Sequence, residues 1–186
     1  NDSLTAQGGD SRNGIYSVSG DVTISGGTVT ATGGNSTGSY GSGGDGIHSG
    51  SLTISGGTVT ATGGGSTGSN GLGGRGICSD SGGVTISGGT VKATGGNGDY
   101  SGGDGISSSD RVAISGSTVT ANGGDSSSRN GASGISSSSG VTVSDGTVTA
   151  NGGNGGNVSG DGIRSDGGVT ISGGTVKAAG GDSKDG

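Results

Sequence analysis

Apolar and polar residues alternate in short bursts along this chain, and the bursts recur. In Val22-Thr23-Ile24-Ser25 the apolar residues are first and third; in Thr28-Val29-Thr30-Ala31-Thr32 they are second and fourth. Period-two alternation over so few residues predicts two short strands, each with one face turned inward. Gly26-Gly27 separates the runs and Gly33-Gly34 closes the block; glycine pairs suit corners because they accept positive φ and close backbone approach. Six copies of the block follow one template: Val22–Gly34, Leu52–Gly64, Val84–Gly96, Val112–Gly124, Val141–Gly153 and Val169–Gly181. Each is preceded by a Gly-Ile-x-Ser segment, beginning at Gly14, Gly46, Gly76, Gly105, Gly134 and Gly162, which predicts a third short strand. Successive blocks start 28 to 32 residues apart, and the drift lies outside the block. A partial copy, Leu4-Thr5-Ala6-Gln7-Gly8-Gly9, stands at the front.

Stacking the copies produces five apolar columns. One is Ile15, Ile47, Ile77, Ile106, Ile135 and Ile163; the others descend from Val22, Ile24, Val29 and Ala31. With its apolar residues in register toward one axis, the chain is predicted to be an all-β parallel β-solenoid, a β-helix with three short strands per coil. Each coil supplies so few core side chains that neighbours must stack for any to be stable. The expected organisation is one domain over 1–186: a partial N-terminal coil or cap at 1–13, six coils over 14–181 and a polar tail at 182–186. Six coils at ~4.8 Å per step make a rod of about 29 Å. Right-handed winding is expected from the general handedness of parallel crossovers. The serines after each Ile-x pair (Ser17, Ser49, Ser79, Ser108, Ser137, Ser165) share the inward parity and are expected to form a corner ladder bonded to backbone.

Composition sharpens this picture. Of 186 residues 54 are glycine, hydrophobic residues make up 23% and aromatics 2%, and Pro, Met, Trp, Phe and Glu are absent. A conventional two-layer core lacks the bulk it needs, and without the repeat the composition would predict disorder. Collagen is excluded by the missing proline and the missing three-residue glycine period. No apolar run approaches the ~18 residues of a membrane span. A net charge of −6 and a pI of about 4.3 argue against nucleic acid and anionic membrane surfaces, both of which select Lys/Arg-rich patches. The single cysteine, Cys78, excludes an intrachain disulfide. With no methionine, the chain is expected to be a processed or excised, secreted product.

The outward positions differ in order. The Gly-Ile-x-Ser face shows Tyr16, His48, Cys78, Ser107, Ser136 and Arg164, chemically unrelated residues expected to be plain solvent surface. The Val-x-Ile face shows Thr23, Thr53, Thr85, Ala113, Thr142 and Thr170 beside a row of serines beginning at Ser25. The third face is the most regular. Its first column is Thr28, Thr58, Thr90, Thr118, Thr147 and Thr175; its second is Thr30, Thr60, Lys92, Thr120, Thr149 and Lys177; its third is Thr32, Thr62, Thr94, Asn122, Asn151 and Ala179. β-Branched threonine is stiff at χ1, so the grid is a preordered array of hydroxyls and methyls, and a rigid array loses little entropy on meeting a rigid partner.

The Thr-x-Thr ladder on a solenoid resembles the β-solenoid antifreeze proteins, whose flat threonine-rich face adsorbs to ice and stops crystal growth. That resemblance implies ice or ordered water as partner and the threonines of the grid as the ice-binding residues. Lys92, Lys177, Asn122, Asn151 and Ala179 depart from its pattern. The wording SGGTVTATGG with GGDGI is similar to glycine-rich repeats of bacterial cell-surface adhesins, which implies a secreted repeat region binding glycan or host matrix.

Other chemistry is sparse. Asp45, Arg75, Asp104 and Asp161 share one place two residues before the isoleucine column, and a cross-coil salt bridge through Arg75 is expected there. Calcium repeats of the nonapeptide kind need a nine-residue period that this chain lacks, so no metal or cofactor is expected. His48 is expected to have no fixed carboxylate partner and the protein to be no enzyme. Cys78 is expected to be an outward thiol, able to join a dimer of an otherwise monomeric protein. Asn1-Asp2-Ser3, Asn35-Ser36-Thr37 and Asn157-Val158-Ser159 match the glycosylation sequon.

Overall fold

The computed structural model describes residues 2–184; Asn1, of the expected cap and first sequon, and Asp185 and Gly186, of the polar tail, lie outside the described residues. Every regular element is a strand, and the strands stack into three parallel sheets, one per side of the coil. The isoleucine sheet holds Ile15–Tyr16, Ile47–Ser49, Ile77–Ser79, Ile106–Ser108, Ile135–Ser137 and Ile163–Ser165. The valine sheet holds Val22–Ile24, Leu52–Ile54, Val84–Ile86, Arg111–Ile114, Gly140–Val143 and Val169–Ile171. The threonine sheet holds Thr28–Thr32, Thr58–Thr62, Thr90–Thr94, Ser117–Asn122, Gly146–Asn151 and Thr175–Ala179. It gains a seventh strand, Ser3–Gln7, paired in parallel with Thr28–Thr32, so the partial copy at the front is a true first rung.

The β-solenoid expected from the repeat is therefore the fold. The five apolar columns point inward: from Ile47 through Ile135, and from Val59 through Val148, these side chains are at most 1% exposed. Exposure returns at the ends, where Val169 is 46% and Ile171 is 53% exposed because no described coil covers them. The serine ladder forms in the middle of the stack, at Ser79, Ser108 and Ser137, whereas buried Ser49 Oγ finds no partner and Ser165 Oγ donates to Gly168 of its own coil. Ser79 Oγ lies 2.7 Å from the Gly50 carbonyl oxygen and Ser137 Oγ lies 2.7 Å from that of Asp110, so each hydroxyl donates across to the preceding coil's corner. At the corner before the threonine sheet, Gly27, Gly57, Gly89, Gly146 and Gly174 all have positive φ. In these five coils the second position of the pair is thus the one the turn needs as glycine, with Asp145 standing in for the first; in the fourth coil Ser117 holds the second position and the positive φ falls on Gly116 before it.

The drifting segments between coils are more ordered than loops. Isolated parallel bridges run Ser42↔Leu72↔Ser101↔Asn130↔Val158. Between this outer wall and the side-chain core, two columns of glycine, one of them carrying Ala132 at a single step, zigzag up the axis. Gly44 donates to the Gly34 carbonyl, Gly64 to Gly44, Gly74 to Gly64, Gly96 to Gly74 and Gly103 to Gly96, at 2.8–2.9 Å each. A Cβ on Gly64 would land on the Gly34 carbonyl, and one on Gly33 on that of Gly44. These glycines are not corners: they let backbone pack on backbone in a lobe that has no side-chain core. The coil interior is therefore divided between an apolar lobe and a glycine lobe.

Two rows of Asx side chains tie the coils together where the lobe begins and ends. Asn13 Oδ1 accepts the Asp45 amide, Asp45 Oδ1 that of Arg75, and Asp104 Oδ1 that of Ser133. Opposite, Asn35, Asn97, Asp125 and Asn154 accept from Gly65, Asp125, Asn154 and Asp182. The Asn35 carbonyl of the second sequon is thus engaged in the stack. The expected salt bridge does not form: among the described residues no ion pair joins Arg75 to Asp45 or Asp104. The aspartates at this place cap amides of the next coil, and the Arg75 guanidinium turns away.

Two outcomes follow for stability. Gly64→Ala should destabilise the protein by about 1–3 kcal/mol through overpacking, whereas Gly38→Ala, whose Cβ meets nothing within 4 Å, should leave the denaturation midpoint unchanged; equal midpoints for the two variants would refute the packed glycine lobe. Burial pushes the Asp104 carboxyl above its ordinary range, against the Ser133 amide and the Arg75 charge that favour ionisation. An acid whose folded pKa is raised costs stability above that pKa, and the cost vanishes as pH falls through it. Asp104→Asn keeps the acceptor for Ser133, so it should melt higher than the parent at neutral pH, with the gap closing on acidification. A gap independent of pH in paired melting curves would contradict this.

Candidate functional site

The threonine sheet carries the grid. Pairing runs Thr28↔Thr58↔Thr90↔Thr118↔Thr147↔Thr175 without a slip, so the first column is an unbroken row of one residue type. Its members are exposed, while Thr30, Thr60, Thr120 and Thr149 of the second column and Thr32, Thr62 and Thr94 of the third are half-buried between neighbours. Because Val29, Ala31 and their equivalents are drawn inward, every second residue is forced outward, and parallel register copies that choice from coil to coil. The first strand extends the array: Ser3, Thr5 and Gln7 pair with Thr28, Thr30 and Thr32. These three were not among the predicted site residues, although the Leu4-Thr5-Ala6 parity signals them. Lys92 and Lys177 stand exposed in the second column. In the third, Asn151 Nδ2 donates to Asn122 Oδ1 at 2.8 Å, replacing threonine with an amide ladder. The uninterrupted part is consequently the N-terminal part, from Thr28 to Thr62, with Thr5 extending its second column.

The isoleucine sheet departs from expectation. His48 and Cys78 are cross-strand partners on its outer side, but they are not plain surface. Cys78 is 1% exposed, which corrects the expected outward thiol and removes it as a disulfide partner between molecules. Turns flanking the strands fold over it. Arg75 Nη1 donates to Sγ at 2.8 Å, and the thiol donates to Asp80 Oδ1 at 3.1 Å. Burial pushes the Cys78 thiol up to about 12, with Arg75 pulling the other way. Asp80 is held below the usual carboxylate range, first by the Cys78 hydrogen bond and then by the charges of His48 and Arg75. His48 has two carboxylate partners rather than none: Nδ1 lies 2.7 Å from Asp45 Oδ2 and Nε2 lies 2.9 Å from Asp80 Oδ2. The Tyr16 ring meets the imidazole edge-on at 5.1 Å between centroids. The sequence signal was there in the stacking of Asp45-Gly46-Ile47-His48 on Arg75-Gly76-Ile77-Cys78-Ser79-Asp80, which sets polar residues of two adjacent coils side by side.

A polar groove of about 560 Å³ runs beside this sheet where it meets the glycine lobe, with Arg75, Asp104, Ser133, Ser136, Asp161 and Arg164 along it.

No curated protein and no solved structure matches the chain. A family model described as a beta helix repeat matches residues 22–51, 52–74, 84–110, 112–139 and 169–186. These matches begin on the first valine-sheet residue of a coil, or its equivalent, in each case, so the unit recognised is the stacked coil itself. Covering most of the chain, they establish that it belongs to the beta helix repeat family.

Proposed function

We propose that the protein works outside the cell as a non-enzymatic ice-binding protein, adsorbing to ice through the threonine sheet and halting crystal growth there. The observation that supports this reading is the in-register threonine column with its second and third rows, which sets hydroxyl and methyl groups at ~4.8 Å across the strands and about 6.6 Å along them. Such an array can hold water in a fixed two-dimensional pattern, and its stiffness keeps the entropic cost of adsorption low. The adsorbing patch is centred on Thr5, Thr28, Thr30, Thr32, Thr58, Thr60 and Thr62, because Lys92 brings a mobile, strongly hydrated ammonium into the middle of the second column. The ice surface is the only partner required, and a monomer suffices.

Thermal hysteresis and crystal shaping with the purified protein test the proposal. Thr60→Tyr should remove most of the hysteresis while the circular dichroism spectrum is unchanged, Thr120→Tyr should remove less, and Lys92→Thr should raise it. A parent protein without hysteresis at millimolar concentration ends the ice reading.

The groove of alternating guanidinium, carboxylate and hydroxyl groups beside the isoleucine sheet favours a second reading, a cell-surface repeat module that binds glycan or host matrix. It predicts glycan binding that Arg164→Ala weakens at least tenfold and Thr60→Tyr leaves untouched; glycan binding indifferent to Arg164 would dispose of it.

A further inference from the structure

We propose that Asp45, His48 and Cys78 form a binding site for a zinc-class divalent ion that clamps two adjacent coils, with the fourth coordination position open to solvent. The proposal is independent of ice binding, since the site lies on a different sheet.

The three donors are a carboxylate oxygen, an imidazole nitrogen and a sulfur, and their ligand atoms all lie within 4.8 Å of one another. Zinc accepts this mixed set at about 2.0–2.3 Å per ligand, which places the donors of a tetrahedral site roughly 3.5 Å apart. Closing the site therefore draws the donors in by about an ångström. Calcium and magnesium are poor fits, because they take oxygen shells and here sulfur and nitrogen are two donors of three.

The surroundings supply what a metal site needs beyond its ligands. A ligating histidine usually donates its other ring N–H to a carboxylate, which fixes its tautomer and orientation. With the ion on His48 Nδ1, Nε2 remains free to donate to Asp80 Oδ2, to which it already lies at 2.9 Å. Coordination removes the thiol proton, and Arg75 Nη1, 2.8 Å from Sγ, then donates to the thiolate. Binding thus forms three metal–ligand bonds and releases to water the proton on Sγ and any proton on Nδ1. Asp45 is held in place through its other oxygen, Oδ1, by the Arg75 amide at 2.7 Å. A cleft of about 460 Å³ lined by Arg12, Tyr16, Asp45 and His48 reaches two of the three donors and gives the ion an entry path. His48 belongs to one coil and Cys78 to the next, so the bound ion links them.

Cobalt(II) titrated into the chelator-treated 186-residue chain is the test, because Cys78 is its only cysteine and His48 its only histidine. One equivalent should produce a thiolate-to-cobalt charge-transfer band, shift and broaden the single set of imidazole proton resonances, and be displaced by one equivalent of zinc. Cys78→Ser should abolish the band, Asp45→Asn, which keeps the acceptor for the Arg75 amide, should weaken binding at least tenfold, and Asp80→Asn should weaken it about 10–100-fold. The absence of the band, or imidazole resonances untouched by one equivalent of cobalt, overturns the proposal without recourse to any variant. Binding of equal strength in folded His48→Gln overturns it too.

Discussion

Each coil offers its neighbours a full turn of backbone N–H and C=O groups, and the parallel ladder that satisfies them fixes both the rise, ~4.8 Å, and the register residue for residue. Once Val59 sits on Val29 and Val91 on Val59, as the pairing of the threonine sheet requires, no residue of the repeat is free to choose its depth. The apolar columns become continuous, and so do the polar columns between them. A slip of one residue would turn every threonine inward and every valine outward. The cost of that exchange gives a chain with 23% hydrophobic residues a unique structure.

The ladder alone does not account for the glycine content. Three short strands bury five side-chain columns and leave the remaining third of each coil with nothing apolar to bury. There the chain folds back on itself so closely that a Cβ on most of these glycines would meet a backbone carbonyl, and amides and carbonyls of the glycines, with Ala132 in place of one of them, bond up the axis. Ordering glycine is entropically expensive. The offset is complete backbone pairing in a region that would otherwise be a solvated loop, together with an outer wall that holds the Asx rows in place. Half-buried Asp104 shows how tight that wall is, since desolvation there pushes its carboxyl above the ordinary range.

The legible part of the sequence was what period two and repetition encode. Val22-Thr23-Ile24 and Thr28 to Thr32 state their inward residues directly, and the isoleucine column needed only alignment of the copies. The glycine lobe was not legible, because glycine carries no parity and the spacing drifts there between 28 and 32 residues; Gly33-Gly34 looks the same as a corner pair and as a packed column. Parity also misjudged Cys78. Outward on a strand of three residues is not the same as exposed, for Arg75 and Asp80 come from turns only two and three residues away and fold over the thiol. His48 acquired its carboxylates the same way, one from its own coil's turn and one from the next. The threonine grid was read correctly as geometry because its strands are five or six residues long and turn residues do not reach its centre.

Strand length thus separates the chemistry of the faces. The long strands of the threonine sheet give a surface built only from ladder residues, whose first column from Thr28 to Thr175 repeats one residue type, suited to a partner that repeats. The short strands of the isoleucine sheet let turn residues converge on the ladder, and since the turns drift in sequence, each coil pair makes a different local constellation. A solenoid's stability is close to a sum of nearest-neighbour terms, so a cluster such as Asp45, His48, Cys78 and Asp80 stiffens one junction and leaves the others alone. The face that diverges and the face that repeats are then free to change independently, although the same backbone ladder holds both.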